Sequence, residues 1–171
     1  MFRRAFVALA PLLCGCSALG DVNGSYIHSV TRRGGGADGA GFNVNAGMGA
    51  DPHFGPGGQV RTKFTSDVGQ VGVGLHGYGV TGGSFLGFLP PKLSEAAYAR
   101  IGADVLQVGA AEGHGNVGVA CPFLDLGVIA PNPGLTIGTS ASYDWRLSSA
   151  QNDVWIGVFL GFGVAGSSKA P

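Results

Sequence analysis

The chain has 171 residues, of which 33 are glycine, 45% are apolar and only 12% are charged; an ordinary soluble domain carries about 25% charge and about 7% glycine. So much apolar content excludes a disordered linker, and the glycines lack collagen spacing. Ten basic residues balance ten acidic ones, so no positive field supports nucleic-acid binding, and the length suits one domain.

Arg3 and Arg4 precede an apolar run from Ala5 to Leu13, followed by Leu13-Cys14-Gly15-Cys16. The run is too short for a bilayer span of about 20 residues and reads as a cleaved export signal. Leu13-Cys14-Gly15-Cys16 resembles the lipobox of bacterial lipoproteins. That resemblance implies a signal over residues 1–15, cleavage before Cys16 and a covalent lipid on the Cys16 sulfur. Ser17 in the next position resembles the pattern of outer-membrane lipoproteins. The competing reading is an ordinary signal cut after Ala18 or Gly20. Cleavage at Cys16 leaves about 156 residues, with eight basic against ten acidic and a net charge of −2. It also leaves Cys121 without a disulfide partner; in its apolar run it reads as a buried small side chain. Residues 16–24 read as a tether.

Period-two alternation dominates the rest. Strands are predicted over 25–33, 41–49, 59–66, 69–80, 97–109, 115–129, 135–147 and 153–165. The clearest pair is Leu135 to Leu147 and Val154 to Val164, a long antiparallel hairpin across the turn at Ser148–Asp153. In the fourth run the apolar register slips between Leu75 and Tyr78, which predicts a bulge there. In the sixth, Val117, Val119, Cys121 and Phe123 share one face. Ser94 to Val108 fits either a strand, with Ala99, Ile101, Ala103 and Val105 on one face, or an amphipathic helix through Leu93, Ala97, Ile101, Val105 and Val108; the hairpin rhythm favours the strand. Gly82 to Leu93 is a longer apolar loop with Pro90 and Pro91.

Eight antiparallel strands with short connections predict an all-β, up-and-down barrel over residues 25–166, with a tail at 167–171. Period alone cannot assign its faces, but charge supply can. A water-facing exterior of Gly, Ser and Thr with so few charges would be poorly soluble. The same face suits a barrel interior, with the apolar face turned to lipid. Arg100, Asp104, Asp144 and Arg146 are then the candidate lumen charges. Tyr143, Trp145 and Trp155 are candidate members of an interfacial aromatic girdle.

The pattern over roughly Tyr26 to Ala165 resembles the small eight-stranded outer-membrane barrels of the OmpA/OmpX type. The resemblance implies a non-enzymatic, lipid-anchored outer-membrane protein with a structural, surface or adhesion-like role and membrane lipid as its partner. Loop 82–93 is the element expected to meet another envelope protein. Two alternatives stay open. One is a soluble periplasmic barrel on a lipid tether that holds a small apolar ligand, with Leu135, Ile137, Tyr143 and Trp145 inside. The other is an accessory subunit of an envelope complex.

Enzyme motifs are missing. Gly72 to Gly77 fits the letters G-x-G-x-x-G, but Tyr78 to Val80 continue a strand where a dinucleotide site needs a helix. His28, His53, His76 and His114 lack ligand spacing. No serine stands in a G-x-S-x-G elbow. No cofactor is expected beyond the lipid.

Overall fold

The computed structural model describes residues 17–31, 38–51, 53–81, 97–111, 113–129, 134–145, 147 and 152–167. Eight strands follow in chain order: β1 Ser17–Ser29, β2 Asp38–Gly49, β3 Phe54–Thr65, β4 Val68–Thr81, β5 Ala97–Ala111, β6 His114–Ile129, β7 Leu135–Asp144 and β8 Asp153–Ser167. Each pairs antiparallel with the next. β1 also pairs with β8, from Ser17 opposite Ser167 to Ser29 opposite Trp155, so the barrel is closed. Closure leaves no sheet edge to recruit another chain. This is the all-β, eight-stranded barrel the alternation predicts. The start of β1 and the end of β8 share one rim, called terminal here; the other rim is distal.

Local chemistry sets the turns. At the distal rim the Thr65 hydroxyl accepts from the Asp67 and Val68 backbone N–H groups at 3.3 and 3.0 Å, closing the β3–β4 hairpin. Gly113, between β5 and β6, has φ +77°, a region that suits glycine in tight hairpins.

Two expectations about the ends of the barrel need correction. The tether at 16–24 does not exist from Ser17 onward, because β1 begins there. Leu19, Asp21 and Asn23 face inward and are buried, while Ala18, Gly20 and Val22 face out. Polar inward residues hid the strand from a search for apolar stripes. At the other end β8 continues to Ser167, the first residue assigned to the tail. Residues 94–108 are resolved in favour of strand over their described part, as β5.

The bulge lies elsewhere than predicted. β4 keeps a single alternation, with Gln70, His76, Tyr78 and Val80 inward and Val71, Val73 and Leu75 outward. The slip lies in its neighbours. Gly74 pairs with Asp104 and Val73 with Leu106, which leaves Val105 unpaired. On β6, Cys121 pairs with Asp104 and Val119 with Leu106, which leaves Ala120 unpaired at φ +51°. Two consecutive residues therefore face outward on each strand, Val105 with Leu106 and Val119 with Ala120. The inward phase flips beyond them. Val117 and Val119 thus face out while Cys121 and Phe123 face in, against the single face predicted for all four.

Candidate functional site

Among the described strand residues, Asp21, Arg61, Lys63, Arg100, Asp104, Asp125, Asp144 and Asp153 are all buried inside the barrel. Asp38, at the distal start of β2, is the one strand carboxylate outside. It bonds the Tyr26 hydroxyl at 2.5 Å and His28 Nδ1 at 2.8 Å. The outer wall carries Val22, Phe42, Val44, Met48, Val60, Val71, Val73, Leu75, Ile101, Leu124, Leu126, Ile137, Val158, Leu160, Phe162 and Val164, all exposed. This polarity is the reverse of a soluble protein's.

The lumen is filled in layers. At the terminal rim Leu19, Tyr78, Val80, Tyr98, Ile129 and Phe159 form an apolar plug. Below it, Arg100 Nη1 donates to Asp21 at 2.8 Å, and its Nη2 lies 3.4 Å from Asp125. Arg61 reaches the same Asp125 at 2.9 Å and lies over the Phe123 ring at 4.2 Å. Tyr98 and Asn45 also donate to Asp21, at 2.9 and 2.5 Å. His76 sits edge-on to Tyr78 and Phe123.

The distal half holds a second network. Lys63 Nζ donates to Asp144 at 2.5 Å and to Ser142 at 2.9 Å. Gln70 donates to the other Asp144 oxygen at 2.6 Å, and Gln59 and Gln107 to Asp104 at 2.6 and 2.8 Å. The Asp104–Gln107 contact depends on the Val105 bulge, since strict alternation would turn Gln107 outward. Glycines make the room: a Cβ on Gly72 or Gly74 would lie 2.9 or 2.8 Å from the Asp104 carboxylate. Ile27, Val68 and Trp155 close the distal end as a second apolar cluster.

Asp21, Asp104, Asp125 and Asp144 are thus each paired with a cation or hydrogen-bonded by lumen side chains. Such buried networks cost desolvation and contribute more to a single defined arrangement than to net stability. Among the described residues, the interior space lined by Ser25, Asn43, Arg61, Lys63, Ser142 and Trp155 is about 10 Å³, the room of a single water. No three His, Cys, Asp or Glu side chains among the described residues are grouped to hold a metal.

Sequence reasoning placed Arg100, Asp104 and Asp144 inside, and they are inside. The structure joins Arg100 to Asp21 and Asp125, Asp104 to Gln59 and Gln107, and Asp144 to Lys63. Arg146, Cys16, the signal 1–15 and loop 82–93 lie outside the described residues. Asp21, Gln59, Arg61, Lys63, Gln70 and Asp125 went unnoticed, although each holds an inward position once its strand phase is known. Of the proposed girdle, Tyr143 is half-buried on the outer side and Trp145 is 58% exposed. Trp155 is a correction. It is 1% exposed, inside the lumen, with Lys63 Nζ 5.6 Å from its ring centre. Its neighbours Val154 and Ile156 take the outward positions, so alternation forces it inward. Leu135, Ile137 and Trp145 face out, which removes the reading in which they line an apolar ligand cavity. Cys121 is buried, and its sulfur accepts the Trp145 N–H at 3.3 Å.

No protein-family model matches the chain, and no characterised protein matches it in sequence. Among solved structures it is similar to Ail, the attachment invasion locus protein of Yersinia pestis, crystallised with the heparin analogue sucrose octasulfate. The TM-score is 0.50 at 13% identity, over 88% of this chain and 99% of that one. The backbone structure of the outer-membrane protein Ail in a phospholipid bilayer nanodisc gives a TM-score of 0.44 at 13% identity, over 86% and 99%. In fold, then, the chain is a closed eight-stranded antiparallel barrel resembling the Ail/OmpX type of outer-membrane barrel.

Proposed function

We propose that this protein is a non-enzymatic outer-membrane β-barrel, anchored further by a lipid on Cys16, with a structural, surface or adhesion-like role. The observation that carries the membrane reading is the reversed polarity: buried strand charges within an outer wall of exposed aliphatic and aromatic side chains. In water such a wall far exceeds the few hundred Å² of apolar patch that soluble monomers expose. In a bilayer it is the expected surface. On β8 the outward set runs from Val154 to Val164. At about 3.3 Å per residue and about 40° of tilt this spans about 25 Å along the barrel axis, the height of a lipid-facing belt. The filled lumen argues against a pore and against carriage of a small apolar ligand. The likeness to Ail is one of fold, and the heparin analogue belongs to that protein.

The test is electrophoretic migration of detergent-folded mature protein with and without boiling, alongside the mass of the peptide beginning at Cys16. A membrane barrel shifts on boiling, and a lipoprotein carries acyl mass on that peptide. A mature protein that stays soluble without detergent and migrates identically in both lanes refutes the membrane reading.

A further inference from the structure

We propose that an open groove on the outer wall at the terminal rim seats the acyl chain carried by Cys16, so that the lipid packs as part of the barrel wall. This inference rests on the lipidation proposed above and adds where the lipid lies.

Three observations converge. First, the strand is pinned at its very start. Ser17 is fully buried; its hydroxyl lies 2.9 Å from the Tyr78 hydroxyl and donates to the Phe54 carbonyl at 3.2 Å. The Tyr78 hydroxyl donates to the Ser17 carbonyl at 2.9 Å. Consecutive Cα atoms are about 3.8 Å apart, so a lipid on Cys16 is attached one residue from the first paired position of β1. Second, a groove of about 840 Å³ starts at that point. Its floor is Ala18 and Gly20 of β1 and Ala46 of β2, small residues in outward positions. Met48, paired across from Ala18, forms one wall, and Val164 and Phe162 of β8, paired across from Gly20 and Val22, form the other. Third, the chemistry matches. These walls are apolar and exposed (Met48 52%, Phe162 64%, Val164 59%), and Met adapts its shape to an irregular partner.

Lipid tails are as apolar as the groove, so the hydrophobic effect does not drive the seating. Close packing against small residues does, and attachment one residue away makes the contact intramolecular. A chain anchored at the rim must fold back along the outer wall to reach hydrocarbon, and this groove is the recess that begins there.

The test uses the full-length protein, lipidated in the envelope and reconstituted in phospholipid vesicles. A photoreactive phenylalanine replaces Ala46, inside the groove, or Leu135, on β7 beyond the β8 wall. After irradiation, peptides crosslinked to the acylated Cys16 peptide are quantified by mass. The expected result is about tenfold more crosslink at 46 than at 135, the ratio a packing contact in lipid supports. Gly20→Leu fills the floor and brings the yield at 46 down to that at 135. A Cβ at position 20 meets only Asn45 O at 3.5 Å and Val164 Cγ2 at 4.0 Å, so the strand accepts it. Ala18→Leu is the second filler, and boiling-dependent migration verifies the fold of each variant. Equal yields at 46 and 135, or no effect of either filler, with acyl mass present, overturn the groove and leave lipidation intact. Absence of acyl mass on the Cys16 peptide overturns both.

Discussion

Arg100 and Ile101 are neighbours in sequence with opposite requirements, and exchanging their chemistry tests the reversed polarity of the barrel. Ile101 is 68% exposed on the outer wall, four residues into β5. That places it about 10 Å from the terminal rim along the axis, near the middle of a belt about 25 Å tall. Ile101→Arg therefore sets a cation near the bilayer midplane, at a cost of about 2–4 kcal/mol. On a water-facing strand the same change falls within about 0.5 kcal/mol of neutral. Arg100 is 1% exposed between Asp21 and Asp125. Arg100→Met leaves Asp21 without its cation, and losing one partner of a buried pair costs about 3–5 kcal/mol. Arg61 still holds Asp125, which sets the expected value toward the low end. The assay is urea unfolding in phospholipid vesicles, followed by tryptophan fluorescence and gel migration. With an m-value of about 2 kcal/mol/M, Ile101→Arg lowers the midpoint by about 1–2 M. An unchanged midpoint for Ile101→Arg in vesicles would refute the assignment of this wall to lipid.

Two further outcomes follow from the placement of side chains. In single-tryptophan variants, brominated lipids quench Trp145 and spare Trp155, because one ring is on the outer wall and the other is sealed under Lys63; quenching of Trp155 to the same extent would contradict the filled lumen. Gly57→Val destabilises by about 1–3 kcal/mol in the same unfolding assay, the usual cost of overpacking, because a Cβ there would lie 2.3 Å from His76 Nε2 and 2.7 Å from the Ala46 carbonyl. A stability equal to the parent would show that the His76 layer is loose.

Much of the architecture was legible in the chain. Alternation over 135–147 and 153–165 exposed the long hairpin, and the shortage of charge together with the glycine-rich stripes identified the polar face as the inner one. Arg100, Asp104 and Asp144 followed from that assignment alone. β1 was harder to see, because its inward residues Asp21, Asn23 and Ser25 are polar and its outward residues include Gly20 and Gly24. A strand between a polar lumen and a wall of small residues carries little amphipathic contrast.

What the sequence by itself determined is local: which residues alternate, where glycines leave room, and that so few charges cannot coat a wetted exterior. Only the closed sheet decided the partners. Arg100 finds Asp21 and Asp125 because β1, β5 and β6 converge on one lumen, and Lys63 finds Asp144 across the barrel, at separations in sequence that no spacing rule spans. The paired bulges at Val105 and Ala120 belong to the same level. Each follows from aligning one strand against its neighbours on both sides, and each turns the remaining side chains of its strand through the wall.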